Sequence, residues 1–318
     1  MDKKIHPIII YPFRQPQDLR GITELFDKIN DLVVKEPDKY LPPVTIVNNQ
    51  TKYRNSLAFA GGRLGNPGLV NSYQKAIQAI GGKSTITYTW AVDTCAMWLR
   101  GFGDAFEQAY AVGNVNDIFW LIPGDFDYST GAGQQALKTM PKIPNKIFDG
   151  EYDICLGEIE TDPNSSKHLI DRYGTFGLLY NWFPAEAQGI RARVTDKPRT
   201  EFFALSYPVL REALIHHRWY AYEQTLMILL QNMNGSEPGL GIGSVPLSKI
   251  TDDASGRSSL PSAMQQVERT ERALKVYWRE KANNNNYINW QDEFRRLDAQ
   301  SESIRSAAMT ILRRTLGP

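Results

Sequence analysis

Two hydrophobic periods alternate through the first part of the chain. Ile8 to Tyr11 is a β-branched run that stops at Pro12. From Asp18 to Val34, Leu19, Ile22, Leu25, Phe26, Ile29 and Leu32 recur at helical spacing, so the chain opens as strand, loop, helix. A second strand is predicted from Val44 to Val47, behind Pro42 and Pro43, and a third from Ser84 to Val92, where TITYTWAV alternates. A fourth runs from Ile118 to Ile122, with helical segments at Leu69 to Ile80 and Asp104 to Ala111 between the strands. Strands alternating with helices predict an α/β fold with a mainly parallel, doubly wound central sheet, whose ligands bind beyond the carboxyl ends of the strands. The loops after Tyr11, Val47, Val92 and Ile122 are therefore where chemistry is expected.

The second half is less regular. A polar TDPNSSK segment and an aromatic stretch from Tyr173 to Phe183 precede a long helical pattern from Tyr207 to Met233. Gly235, Gly239, Gly241, Gly243, Gly256 and several Ser give residues 234–260 the composition of a mobile loop. Two helical blocks follow, Pro261 to Lys281 and Trp290 to Leu316, separated by the Asn283 to Asn286 run. One large domain is expected over residues 1–260, with a nucleotide-binding half at 1–130 and an acceptor half at 131–260. Residues 261–318 would form a helical extension.

Composition narrows the choice of partners. Of 318 residues, 36 are Lys or Arg and 35 Asp or Glu, a formal charge of +1 that gives no global field for nucleic acid or an anionic membrane. An anionic ligand must be met locally. Cys95 and Cys155 lie far apart without a metal-ligand spacing, which points away from a disulfide framework and toward a reducing, cytoplasmic setting. The apolar run before Pro12 is shorter than the about 7–15 residues of a signal core, and no window approaches the roughly 18–20 apolar residues of a membrane span. Trp98, Trp120, Trp182 and Phe183 lack an accompanying basic stripe and are expected as core or pocket walls, and His6 and His168 stand isolated. Arg295, Arg296, Arg305, Arg313 and Arg314, interspersed with Asp and Glu, are expected on a solvated or oligomer-forming face.

The most informative stretch is Asp117 to Asp127, DIFWLIPGDFD, an apolar strand that ends in two carboxylates separated by one residue. Alternate side chains on an extended backbone share a face, so Asp125 and Asp127 can reach one cation. Hard oxygen ligands suit Mg²⁺ or Mn²⁺, which completes its shell with water and phosphates and can neutralise a diphosphate leaving group. Upstream, RGFGDAFEQA from Arg100 to Ala109 is expected to open a helix. Gly101 and Gly103 would admit close approach of a ligand to the backbone, and the helix start would offer unsatisfied N–H groups.

The order and spacing of these two stretches, GFGDAFEQAYAVGNVNDIFWLIPGDFD, resemble GT-A glycosyltransferases, in particular mannosylglycerate synthases and dolichol-phosphate mannose synthase-like enzymes. The resemblance extends to the opening strand IIIYPFR, and implies that Pro12, Phe13 and Arg14 contact the base and ribose of a nucleotide. PRTEFFALSYPVL followed by HHRWYAYEQTLMILL is similar to the family's acceptor segment, which implies a catalytic or acceptor-binding role for Glu223 and an acceptor contact at Glu201. LSKITDDASGRSSL is similar to a late strand and loop that closes over the diphosphate, implying Arg257 as a charged fork. Arg100, Gly103 and Asp104 join the implied substrate site, and Asn48 with Asn49 stands where the family commonly has an acidic base contact. Some relatives complete the metal site with a late histidine; here no histidine follows His216 and His217, which leaves one of these two, a water or no group as the third ligand.

The expectation is a Rossmann-like GT-A enzyme moving a hexose from a UDP- or GDP-sugar to the hydroxyl of a small acceptor. It would have Mg²⁺ or Mn²⁺ at Asp125 and Asp127, and possible homo-oligomer contacts through the C-terminal helices. A sugar-1-phosphate nucleotidyltransferase is the nearest rival, although its Gly-rich basic loop after the first strand is absent from IIIYPFRQPQDL. A non-catalytic nucleotide- or sugar-binding protein is the other.

Overall fold

The computed structural model describes residues 2–11, 21–48, 85–89, 94–124, 126–161, 163, 166–194, 198–215, 224–234, 241–250, 260–284 and 290–316. Seven strands form one sheet: β1 (Ile5–Tyr11), β2 (Val44–Asn48), β3 (Thr85–Thr89), β4 (Ile118–Pro123), β5 (Ile154–Thr161), β6 (Phe203–Ser206) and β7 (Ile242–Ile250), in the order β3-β2-β1-β4-β6-β5-β7. β1 runs parallel to β2 and β4, and β2 parallel to β3. β6 is antiparallel to both β4 and β5, so the sheet is mixed. Helix α1 (Ile22–Lys35) connects β1 to β2, and α2 (Thr94–Ala111) connects β3 to β4. Strand order reverses between β1 and β4, and in open α/β sheets a crevice forms at that reversal beyond the carboxyl ends.

The central strands are apolar because both their faces are covered. All six residues of β4, IFWLIP, are buried, as are Ile5, Ile8, Ile9 and Ile10 of β1. α1 buries Ile22, Leu25, Phe26, Ile29 and Val33 along one stripe and leaves Asp27 and Asp31 to solvent, as its 3.6-residue period requires. α2 lies close against the sheet: a Cβ on Gly101 would stand 2.6 Å from Ile8 Cγ2 and 3.2 Å from Ile46 Cγ1.

Three sequence expectations are corrected. α2 begins at Thr94, so Gly101 and Gly103 lie in its middle and not at its start. Backbone N–H groups there are taken by the carbonyls four residues earlier, and none is left for a ligand. The second half contributes β5 and β6, for which the apolar pattern gave no strand. The Gly- and Ser-rich stretch read as a mobile loop contains the 9-residue β7. Val245 and Leu247 are buried there, and Gly243 is small because the Tyr152 ring occupies the space a Cβ would need. The predicted helix Leu69 to Ile80 lies outside the described residues.

Internal contacts divide the chain into two compact units, Met1–Gly157 with Glu201–Ile215 and Leu240–Ser248, and Glu158–Thr200 with His216–Gly239 and Lys249–Pro318. The first also holds α3 (Gly131–Thr139), α4 (Lys142–Phe148) and α8 (Tyr207–Ile215). The described part of the second is mainly helical. Ser166–Leu169 (α5) continues through a π-helical turn, Ile170–Thr175, into α6 (Phe176–Trp182), followed by α7 (Pro184–Val194), α9 (Gln224–Asn234), α10 (Leu260–Asn284) and α11 (Trp290–Leu316). Trp182, Trp278 and Phe294 pack with ring centroids 5.3–6.0 Å apart and join α6, α10 and α11. Arg305 does not lie on a purely solvated face: its guanidinium donates at 2.8 Å to the buried Glu271 of α10, which also takes Lys275 at 2.8 Å. Among the described residues no helix is long and apolar enough to cross a membrane.

Candidate functional site

β4 delivers the chain to the carboxyl edge of the parallel strands, where the strand order reverses. Past Pro123, Gly124 N–H still donates to Ile10 O at 2.7 Å, so β1 and β4 stay together up to the point where the chain turns. The turn is then fixed from several sides. Tyr128 is fully buried and its phenol donates to Pro123 O at 2.6 Å, folding the segment back over the strand end. The Phe126 ring meets Tyr128 at 5.3 Å and Phe202 at 5.4 Å, both edge to face. Thr130 is the N-cap of α3: its Oγ1 accepts from Gly133 N–H at 3.0 Å and donates to Asp127 O at 2.9 Å. Gln134 Nε2 donates to Tyr128 O at 2.8 Å.

Two glycines allow this closeness. A Cβ on Gly133 would run into Asp127 O and stand 2.5 Å from Tyr128 Cα. Gly21, at φ 70°, backs the turn from the start of α1, where a Cβ would lie 2.6 Å from Tyr128 Cα.

Asp127 projects from this turn half-exposed. Its Oδ1 accepts from Ser129 N–H at 3.1 Å and from Ser129 Oγ at 2.5 Å. No described residue donates to Oδ2. The group is a hard oxygen donor, the type that holds Mg²⁺ or Mn²⁺ while water and phosphate fill the rest of the shell, so its chemistry fits such a cation. Among the described residues no three His, Cys, Asp or Glu side chains gather as a metal cluster.

The remaining candidates separate into three groups. Asn48 closes β2 at the carboxyl edge of the parallel strands. Glu201 is exposed and immediately precedes Phe202 and β6; because β6 runs antiparallel to β4, with Phe203 opposite Leu121, Glu201 reaches that same edge. Asn48, Asp127 and Glu201 are thus gathered at one end of the sheet. Arg100, Gly103 and Asp104 are not. They sit midway along α2, level with Ile8 and Ile46, and Arg100 Nε pairs with Asp104 at 3.0 Å on the exposed face. Pro12, Phe13, Arg14, Asn49, Asp125, His216, His217, Glu223 and Arg257 lie outside the described residues.

At the opposite end of β4 the structure places a second aspartate that the motif reading passed over as a ligand. Asp117 is buried and accepts from Lys4 N–H at 2.8 Å and Asn114 Nδ2 at 2.5 Å on Oδ1, and meets His6 Nε2 at 2.6 Å on Oδ2. His6, expected to be isolated, stacks on Phe119 at 5.0 Å and is as buried as its partner. Ser129, Thr130 and Gly133 were also missed, although S-T-G-A-G directly after the strand is a helix-cap signal of the usual kind.

A scan against protein-family models finds no match to this chain, and a search of curated proteins finds no significant relative.

Proposed function

We propose that this chain is a metal-dependent glycosyltransferase that moves a hexose from a nucleoside-diphosphate sugar to an acceptor hydroxyl. One observation carries the reading: a half-exposed carboxylate, Asp127, is held just past the carboxyl end of β4, where the strand order reverses, with one oxygen anchored and no described donor on the other. The crevice at such a reversal is where open α/β sheets bind nucleotides. Asp127, with Asp125 beside it in sequence, would hold Mg²⁺ or Mn²⁺. The cation supplies charge neutralisation for the diphosphate as it departs.

The chain's own residues take the other roles. Asn48 and the segment Pro12 to Arg14 follow strands that end at this edge and supply the base and ribose contacts. Glu201, exposed at the same edge, would contact the acceptor hydroxyl. The resemblance to GT-A enzymes would add Glu223 as a general base and Arg257 as a charged fork, both outside the described residues. Arg100 and Asp104 satisfy one another on the outer face of α2 and are left out of the site, as is Gly103.

The test is release of nucleoside diphosphate from UDP- and GDP-hexoses, with Mn²⁺ or Mg²⁺ and with chelator. The full chain is expected to release UDP or GDP only with metal, and Asp127→Asn to slow release about a hundredfold or more, since several kcal/mol of charge stabilisation is removed. Pyrophosphate release from sugar 1-phosphate and nucleoside triphosphate would support a nucleotidyltransferase instead. An unaltered rate in Asp127→Asn contradicts the proposal.

A further inference from the structure

We infer that Ser129 is a positioning residue for the Asp127 carboxylate, a role that rests on the proposed metal site. The side chain is exposed, contributes nothing to the core, and spends both of its donors on one acceptor: Oγ at 2.5 Å and its own N–H at 3.1 Å from Asp127 Oδ1. An exposed serine hydroxyl has water available at no cost. Its use here restrains the carboxylate about its terminal torsion, which is otherwise broad and roughly two-fold.

The restraint has a direction. Both donors approach Oδ1, so the carboxylate is pinned through one oxygen and its Oδ2 is left as the electron-rich side. The backbone at Ser129 is backed closely by Gly21, where no side chain fits beside its amide, and Thr130 and Gln134 bond the residues on either side. The arrangement is therefore a rigid base, one hydroxyl, and a ligand oxygen aimed by it. Partners that orient a ligating group in this way typically contribute about 10–100-fold to metal affinity when removed.

Mn²⁺ affinity, read from the electron paramagnetic resonance signal of free Mn²⁺ in the presence of UDP or GDP, separates this role from a structural one. The variants are Ser129→Ala, Ser129→Thr and Asp127→Asn, each with its melting temperature measured without metal. Ser129→Ala is expected to bind Mn²⁺ about tenfold more weakly at an unchanged melting temperature, the backbone donor remaining. Ser129→Thr, which keeps the hydroxyl, is expected to restore affinity to within about twofold. Wild-type affinity in Ser129→Ala, with loss of binding in Asp127→Asn, overturns the positioning role and leaves the metal site standing. Equal affinity of wild type and Asp127→Asn, or no binding by either, overturns both.

Discussion

β4 carries an aspartate at each end, and the two are held in opposite surroundings. Asp117, ahead of the strand, is buried, and both its oxygens are committed, to Lys4 N–H, Asn114 and His6. It joins the start of β1 to the start of β4 at the end of the sheet away from the crevice. Asp127, after the strand, is half-exposed, with Oδ1 held and no described donor on Oδ2. A buried carboxylate must be fully hydrogen-bonded or its desolvation is uncompensated, and once bonded it has nothing left to offer. A carboxylate that is half in water bears no such cost, so it can be fixed through one oxygen and remain available through the other. The same side chain is thus fully committed at one end of the strand and keeps an oxygen with no described donor at the other.

The largest expected effect is on stability at the closed end. Asp117→Ala leaves the buried His6 and Lys4 N–H without this acceptor and removes one of the two that Asn114 Nδ2 meets, and is predicted to cost about 3–5 kcal/mol in a urea melt. Asp127→Asn, on an accessible turn and still able to accept from Ser129, is predicted to change stability by no more than about 0.5 kcal/mol. Comparable losses in the two variants would erase the distinction between the ends. A smaller effect is predicted between them, in α2. Gly101→Ala forces a methyl against Ile8 and Ile46 and is expected to destabilise by about 1–3 kcal/mol.

Gly103→Ala is expected to act more weakly than Gly101→Ala and with the opposite sign. A Cβ there meets nothing within 4 Å, so the helix is expected to gain about 0.5–1 kcal/mol, seen as a higher urea midpoint. A gain at Gly103 beside a loss at Gly101 would sharpen the account by showing that α2 uses its glycine for packing against β1 and β2.

The first half of the sheet was readable because its elements are long enough to show a period. The Ile run of β1, the alternation of β3 and the apolar block of β4 each announce themselves, and the stripe on α1 recurs over several turns. β6 did not, since FALS is four residues long and buried on both faces, with no alternation to detect. β5 was obscured by Gly157, which a sequence reading takes as a breaker. In the structure that glycine makes room for Leu247, Phe202 and Ile143. β7 was legible only at its end, where LSKI resembles the family's late strand, and its start was obscured by glycines that accommodate Tyr152. For the site, the apolar strand that leads to Asp127 was visible because it is local. That strand stops at Pro123, however, and Asp127 lies beyond it between a bend and a turn and not on the extended backbone expected. The His6–Asp117 pair was not visible, since its partners are 111 residues apart and meet only through the parallel register that sets His6 beside Phe119. The Gly101 and Gly103 reading failed for a related reason: local spacing resembled a helix start, and only the extent of α2 shows that both amides are already bonded.

The most direct test of the contrast between the two ends is the rise in melting temperature caused by Mn²⁺ with UDP or GDP, because a ligand that binds only the folded state raises the midpoint. Wild type and Asp117→Asn are predicted to show the same rise from different starting temperatures. Asp127→Asn is predicted to start where wild type starts and to show none. A full ligand-induced rise in Asp127→Asn would contradict the placing of the metal and nucleotide site at the carboxyl end of β4.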